Sequence, residues 1–307
     1  MRKAKAFSPA GISGFFQVCT RGEDGSPLRP ERAGARGGGF VISLGVHTEV
    51  LLEESDKNQI EVYINGSPAP EAETTRRVVQ RILSMVDGNY YVLVRHKVEV
   101  PIGAGFGSSG AGALSTALAL SKAVGLKATY NQVGMIAHVA EVEAKTGLGT
   151  VGPLMLGGCI ITVEPGGPGY ALIDRIPLPP DYRIVAATFS SIPTKKVLSS
   201  TNLNRINEAG EKALKSIMDD PSPENFMDSC RRFAVESGLA TERAMKLAEE
   251  TVKAGAVGAT QNMIGEAVHA LVHVDALEDV LSTFRRFVPE ERILVAEICL
   301  QGARLVG

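Results

Sequence analysis

Pro101-Ile102-Gly103-Ala104-Gly105-Phe106-Gly107-Ser108-Ser109-Gly110-Ala111 is the stretch that decides how this chain is read. It follows a run from Tyr90 to Val100 in which apolar and charged residues alternate from Val92 onward, the pattern of a half-buried strand. It opens an apolar, alanine-rich segment ending near Val124-Gly125, which reads as a buried helix. Three glycines in five residues let the backbone turn tightly and come close to a ligand. The free N–H groups and positive dipole end of the helix point back at that turn. Loop and helix start therefore predict an anion site, with phosphate the expected anion. Ser108 and Ser109 place two hydroxyls where they can reach a phosphate or its metal.

The loop departs from the two widespread phosphate motifs. A P-loop ends in Gly-Lys-Ser/Thr, and no lysine lies between Val98 and Ser121. The dinucleotide fingerprint needs a glycine where Ser108 stands and an acid about 20 residues on, whereas the next acid is Glu141. A nucleophile elbow is excluded too, because Gly107-Ser108-Ser109-Gly110-Ala111 lacks its final glycine.

Working outward, Ala4 to Phe7 reads as a short strand ending at Ser8-Pro9-Ala10-Gly11, before a polar, glycine-rich stretch from Thr20 to Gly39. Phe40 to Leu52, Ile60 to Ile64, Ile160 to Val163 and Arg183 to Phe189 read as strands. Glu71 to Val86 and Asn131 to Lys145 read as helices. The C-terminal half reads as helix-rich: Asn202 to Met218, Pro223 to Ser237, Thr241 to Ala254 and Gln261 to Val272, with Arg292 to Leu300 as a closing strand. The expectation is an α+β chain of two intimately packed domains, residues 1–175 and 176–307.

The bulk properties exclude several classes. A net charge of −2 gives no drive toward nucleic acid or an anionic membrane. Trp is absent and aromatic residues are 5 %, which disfavours a base-stacking surface. No apolar run reaches the roughly 18 residues that span a bilayer. Cys19, Cys159, Cys230 and Cys299 form no CxxC pair, which reads as a reduced, cytoplasmic protein without a cysteine-built metal site.

Strand, Pro-x-Gly-x-Gly-x-Gly-Ser-Ser-x-Ala, helix resembles the second motif of the GHMP small-molecule kinases, in which this loop wraps the phosphates of ATP. Ser8-Pro9-Ala10-Gly11 corresponds to the family's first motif, and Gly255 to Gly265 is the candidate for its third. The resemblance implies a ribosomal-S5-like mixed N-terminal domain and a ferredoxin-like, helix-rich C-terminal one. Further stretches are similar to one branch of the family, the archaeal kinases that phosphorylate pantoate. These are Ala10 to Phe16, Gly34 to Phe40 with Gly45-Val46-His47-Thr48, Glu141 through Thr146-Gly147-Leu148-Gly149, Ile192 to Leu198 and Ala259 to Gly265.

That resemblance implies ATP and Mg²⁺, and a cradle of Pro101, Gly103, Gly105, Gly107, Ser108 and Ser109. The metal falls to a loop serine, Ser108 or Ser109, and to Glu141 on the next helix; Glu143 then points away into solvent. The family's orienting aspartate has no counterpart. The branch places it nine residues after the glutamate, where this chain has Thr150, and other members one residue earlier, at Gly149. Metal and positioning alone can serve a loose transition state; alternatively the site is altered, or another group compensates, with Glu164 and Asp174 the nearest later acids. For a substrate carboxylate, the candidates are Arg36, Ser13, Gly14 and Lys195. His47 reads as a packed or edge histidine and His138 as a core one. The resemblance implies a kinase for a small hydroxy acid, with a mevalonate-type kinase or decarboxylase, or an ATP-binding protein without turnover, as alternatives. It also allows a homodimer, with no nucleic-acid or membrane partner.

Overall fold

A computed structural model describes residues 1–190, 203–263 and 265–307. Its largest sheet has eight strands. β1 (Arg2–Cys19), β2 (Gly34–Glu54), β5 (Tyr90–Val98), β3 (Gln59–Ile64) and β4 (Ser67–Pro68) lie side by side in that order. β6 (Cys159–Glu164) pairs with the start of β2, β7 (Leu172–Ile176) pairs with β6, and β12 (Arg304–Val306) pairs with β1. Only β3 and β5 run parallel among these pairs. A second, antiparallel sheet has the order β11 (Ile293–Glu297), β8 (Tyr182–Ser190), β10 (Glu266–His273), β9 (Gly258–Gln261).

The described helices are α1 (Glu73–Leu83), α2 (Ser108–Val124), α3 (Tyr130–Ala144), α4 (Val151–Leu156), α5 (Leu203–Asp219), α6 (Pro223–Glu236), α7 (Glu242–Lys253) and α8 (Leu277–Arg285). α2 is alanine-rich and buried on nearly every side, between β1–β2 and the helices α1 and α3. Small side chains are what allow one helix to be enclosed by three neighbours. α3 starts on a capping box, with Thr129 accepting from the Gln132 N–H and the Gln132 side chain accepting from the Thr129 N–H. A second core joins the two sheets: Phe15 and Phe40 meet Phe226, and Phe15 and Phe16 meet Phe233, all ring centroids 5.2–6.4 Å apart.

Three expectations are corrected. The first strand does not stop at Ser8-Pro9. β1 runs on to Cys19, with register shifts at Pro9/Ala10 and Ser13/Phe15, where the ladder can pass a residue without an N–H. β2 likewise begins at Gly34, inside the stretch read as a polar loop. Gln261 to Val272 is not a helix but the end of β9, a turn and most of β10. β10 lies between β8 and β9 and is buried over Ala267–Val272, so it lacks the alternation that marks a half-exposed strand. α4 and α8 carried no sequence expectation, and Arg292 to Leu300 shortens to β11, with β12 closing the chain. The Ile192 to Leu198 stretch and Lys195 lie outside the described residues.

Candidate active site

The glycine loop leaves β5 and enters α2 through left-handed backbone at Gly103 (φ 74°), Gly105 (φ 80°) and Gly107 (φ 61°). At Gly107 a side chain is excluded twice over: a Cβ there would stand 2.9 Å from Thr150 Cγ2 and 3.0 Å from the Gly11 carbonyl. Gly107 is the residue before the helix, so Ser108 and Ser109 occupy its first turn, where free N–H groups point outward.

The loop is tied down from both halves of the chain. The Gly11 N–H donates to the Phe106 carbonyl at 3.2 Å, which brings the first motif against the second. Asn262 Nδ2 donates to the Ala104 carbonyl at 3.1 Å, and its Oδ1 accepts from His269 Nδ1 at 2.8 Å. Gly265 (φ 126°) presses so closely on Ala104 that a Cβ would lie 2.7 Å from its backbone. The stretch expected as a third glycine loop therefore divides: Gly258 to Gln261 is strand, and the turn after it, with Asn262, Met263 and Gly265, holds the phosphate loop. The Met263 N–H also donates to the Ser13 carbonyl at 3.2 Å, so one turn fixes both the loop and the first motif.

Glu141 on α3 comes up beneath the start of α2. It is 2 % exposed, and burial raises its carboxyl pKa from 4.5 to about 7, against hydrogen bonds from Ser109 and Thr146 that pull it down. Thr146 Oγ1 lies 3.3 Å from Glu141 Oε1 and 2.8 Å from Thr74 Oγ1, and Ser109 Oγ donates to Thr74 at 3.3 Å. Two glycines make room for the carboxylate: a Cβ on Gly110 would meet Oε2 at 2.8 Å, and one on Gly147 would collide with it. Glu143 does not reach open solvent as expected; it forms ion pairs with Arg77 and Arg81. The two glutamates thus divide as i and i+2 on a helix should, one in and one out.

A cleft of about 400 Å³ opens over this arrangement, lined by Gly103, Gly105, Gly107, Ser108, Ser109, Glu141 and Thr150, and also by Ser13 and Arg36. Pro101 precedes the cleft without lining it, and Gly14 faces away, against the Cys230 side chain on α6. Arg36 Nη2 pairs with Glu164 at 3.4 Å, while its buried Nε has no hydrogen-bond partner among the described residues. A guanidinium lining the cleft suits a carboxylate. Thr150 turns its methyl toward Gly107 and Gly110, so the position where a base was sought does border the phosphate loop. Asp174 is turned to the Arg175 N–H at 2.8 Å. His47 stacks on Phe7 away from the cleft, and His138 Nε2 contacts the Pro30 and Ala33 carbonyls, tying the turn before β2 to α3. Lys145, which also lines the cleft, drew no notice in the sequence.

The donor set fits a magnesium ion: a buried carboxylate without a cationic partner among the described residues, and two serine hydroxyls at a helix start, all oxygen. Among the described residues no cluster of three or more His, Cys, Asp or Glu could hold a metal alone, and no helix is long and apolar enough to cross a membrane.

Left-handed glycine loop, buried helix and a carboxylate beneath it define a nucleotide-dependent phosphotransferase of the kind that acts on small molecules. The chain belongs to the GHMP kinase family. Residues 74–158 match the family's N-terminal domain model. The chain is 34 % identical to pantoate kinase of Thermococcus kodakarensis over 89 % of each protein, and 30 % identical to pantoate kinase of Methanocaldococcus jannaschii over 91 % of this chain and 96 % of that one. A solved structure described as a phosphotransferase related to the CoA biosynthesis pathway superposes with a TM-score of 0.87 at 31 % identity, covering 99 % of this chain and 98 % of the other. GHMP kinases use ATP.

Gly107→Ala tests the loop without touching a charged group. A left-handed alanine and the contact with Gly11 should together cost about 1–2 kcal/mol, read as a fall in Tm of roughly 2–4 °C for a chain of this size. ATP affinity should drop by more than the stability loss accounts for. Unchanged nucleotide binding by calorimetry would remove the loop from the site.

Proposed function

We propose that this protein transfers the γ-phosphoryl group of ATP to the primary hydroxyl of (R)-pantoate, giving 4-phosphopantoate for coenzyme A synthesis, with Mg²⁺ as the metal. The observation that carries the reading is the Glu141 carboxylate, buried without a cationic partner among the described residues beneath a left-handed glycine loop, in a chain with pantoate kinases among its relatives.

In the step itself the substrate oxygen bonds to the γ-phosphorus as the bond to the β-phosphate oxygen breaks. ADP leaves with that electron pair, and the hydroxyl proton passes to a phosphoryl oxygen or to water. Such a transfer needs positioning and charge neutralisation more than covalent help. The glycine loop and the first N–H groups of α2 bind phosphate oxygens. Ser108 or Ser109 and Glu141 hold the magnesium, which neutralises phosphate charge when bound. Arg36 takes the substrate carboxylate, with Ser13 also lining the cleft. Thr150 places no carboxylate near the acceptor hydroxyl, so orientation rather than proton abstraction carries the rate. The reading goes with a cytoplasmic location, in keeping with four free cysteines, two of them buried.

One observation favours a second reading. With Thr150 where the branch has an aspartate, the chain could bind ATP without turning it over. A single assay separates the two: ADP release at saturating Mg·ATP with pantoate, mevalonate, homoserine and galactose in turn. Pantoate alone should release ADP. Nucleotide binding with no release from any of the four would sink the kinase reading, and a mevalonate signal would move the substrate assignment.

A further inference from the structure

Lys145 ends α3 in left-handed backbone, φ 57° and ψ 36°. Among the described residues it shares a positive φ with only one other non-glycine, Asn65. That conformation belongs to glycine or asparagine at a helix end, and a lysine holds it at a cost. Strain kept at a cleft is an observation that asks for a role. The bend has a local consequence. It brings Thr146 back over the helix, so that the Thr146 N–H donates to the Glu141 carbonyl at 3.1 Å and its hydroxyl reaches the Glu141 carboxylate. Asparagine or glycine would make the same bend, so the bend does not explain the lysine.

Charge does. Among the described residues lining the cleft, the cations are Arg36 and Lys145. Arg36 stands on β2 and is paired with Glu164 of β6. Lys145 is exposed, and the acid nearest in sequence on its own helix surface, Glu143, is engaged by Arg77 and Arg81. Glu141, the remaining acid of the cleft, is enclosed by Ser109, Thr146, Gly110 and Gly147. The two cations also stand on different elements, Arg36 on β2 and Lys145 at the end of α3. Lys145 directly precedes Thr146, whose hydroxyl bonds Thr74, whose hydroxyl in turn accepts from Ser109. It is therefore tied to the first turn of α2, which carries Ser109, whereas Arg36 is tied to Glu164 of β6.

We propose that Lys145 is a phosphate-binding residue, its ammonium reaching from the end of α3 to the terminal phosphate of the nucleotide. The assignment rests on the kinase reading for the identity of the nucleotide. An ammonium on a flexible stem suits a phosphate that changes position as it is transferred, whereas the planar Arg36 suits a fixed carboxylate. A charge-assisted contact of this kind is the strong sort of hydrogen bond, with an effect of tenfold or more on affinity.

The backbone makes the test unusually discriminating. Lys145→Gly and Lys145→Asn remove the charge while suiting the left-handed position, so Tm should hold or rise by about a degree or two. Binding of a non-hydrolysable Mg·ATP analogue, titrated calorimetrically against the full chain, should nevertheless weaken at least roughly tenfold. Lys145→Arg should retain binding within about threefold, because the charge is kept. In turnover, the loss should fall on kcat/KM for ATP and leave the KM for pantoate nearly unchanged. Wild-type affinity in Lys145→Gly overturns the proposal. So does a loss in Lys145→Arg equal to that in Lys145→Gly with a lowered Tm, which would mark the residue as structural. Nucleotide titration needs no acceptor substrate. A protein that binds Mg·ATP but phosphorylates none of the four compounds thus loses the pantoate reading, while Lys145 still stands or falls on its own titration.

Discussion

Glu141→Gln is expected to make the protein inactive and more stable at the same time. The carboxyl is 2 % exposed, and burial lifts its pKa from 4.5 in the unfolded chain to about 7. A raised folded-state pKa contributes stability that is fully present below pH 4.5 and is lost as pH climbs through 7. At pH 8 the native state therefore carries an ionised, buried carboxylate, at a cost of about 3 kcal/mol relative to the neutral acid. Glutamine keeps the shape and can still meet Thr146 and Ser109, but it carries no charge. Chemical denaturation in metal-free buffer should show the variant more stable by about 2–3 kcal/mol at pH 8 and close to wild type at pH 5. With Glu141 in the proposed role of anionic ligand for the metal, turnover should fall by on the order of a thousandfold or more. A variant destabilised at pH 8 would mean that Glu141 holds the fold together. Unimpaired turnover would take it out of the site.

Such a trade of stability for function also explains why this site could be read from the sequence. The glycines stand there because backbone and carboxylate come too close for any side chain, while hydroxyls and helix N–H groups suit an anion and the acid suits its metal. Gly103 to Ser109 and Glu141 are local signals, each set by the turn or helix that carries it. The Thr129 cap and the end of α3 near Gly147 were legible for the same reason. What holds the loop in place was not legible. Asn262 lies in the Gly255 to Gly265 stretch that the resemblance singles out, but its reach to Ala104, 158 residues away, and the His269 behind it have no local signal. Worse, Ala267 to Val272 is apolar on both faces, so its period cannot separate a buried helix from a buried strand. β1 was cut short because Pro9 reads as a stop, whereas a register shift lets the strand pass it. Lys145 left one faint trace: it occupies a helix end just ahead of Thr146-Gly147, where glycine or asparagine is the usual choice. Its meaning needed the cleft, where Arg36 and Lys145 are the cations among the described lining residues.

The buried histidines should make the clamp on the phosphate loop the acid-sensitive part of the molecule. Burial lowers the His269 pKa from 6.5 to about 3 and that of His96 from 6.5 to about 4. Asn262 Oδ1 can only accept, so His269 carries its proton on Nδ1, and its Nε2 is buried without a hydrogen-bond partner among the described residues. A second proton on that nitrogen would have nowhere to go. His96 is enclosed by Thr48 at 2.8 Å and Thr75 at 3.1 Å, hydroxyls that tolerate a neutral ring but offer no counter-charge. His138, also buried, shifts in the same direction. With the folded-state pKa depressed, the stabilising contribution is complete above pH 6.5 and is lost as pH falls toward 4 and below. By pH 4.5, His96 and His269 together should have removed about 5 kcal/mol. In the wild type this loss is masked, because Glu141 gains a proton over the same range and offsets more than half of it. The measurement therefore belongs in Glu141→Gln, where the opposing carboxylate is absent. Its unfolding free energy should fall steeply between pH 6.5 and 4.5, while the wild type declines by only about 2 kcal/mol. Equal slopes in the two proteins would overturn the raised carboxyl pKa of Glu141. A flat profile in the variant would show that the histidines meet solvent, and hence that the turn from Asn262 to Gly265 does not grip Ala104 as tightly as the 2.8 Å contact between His269 and Asn262 requires.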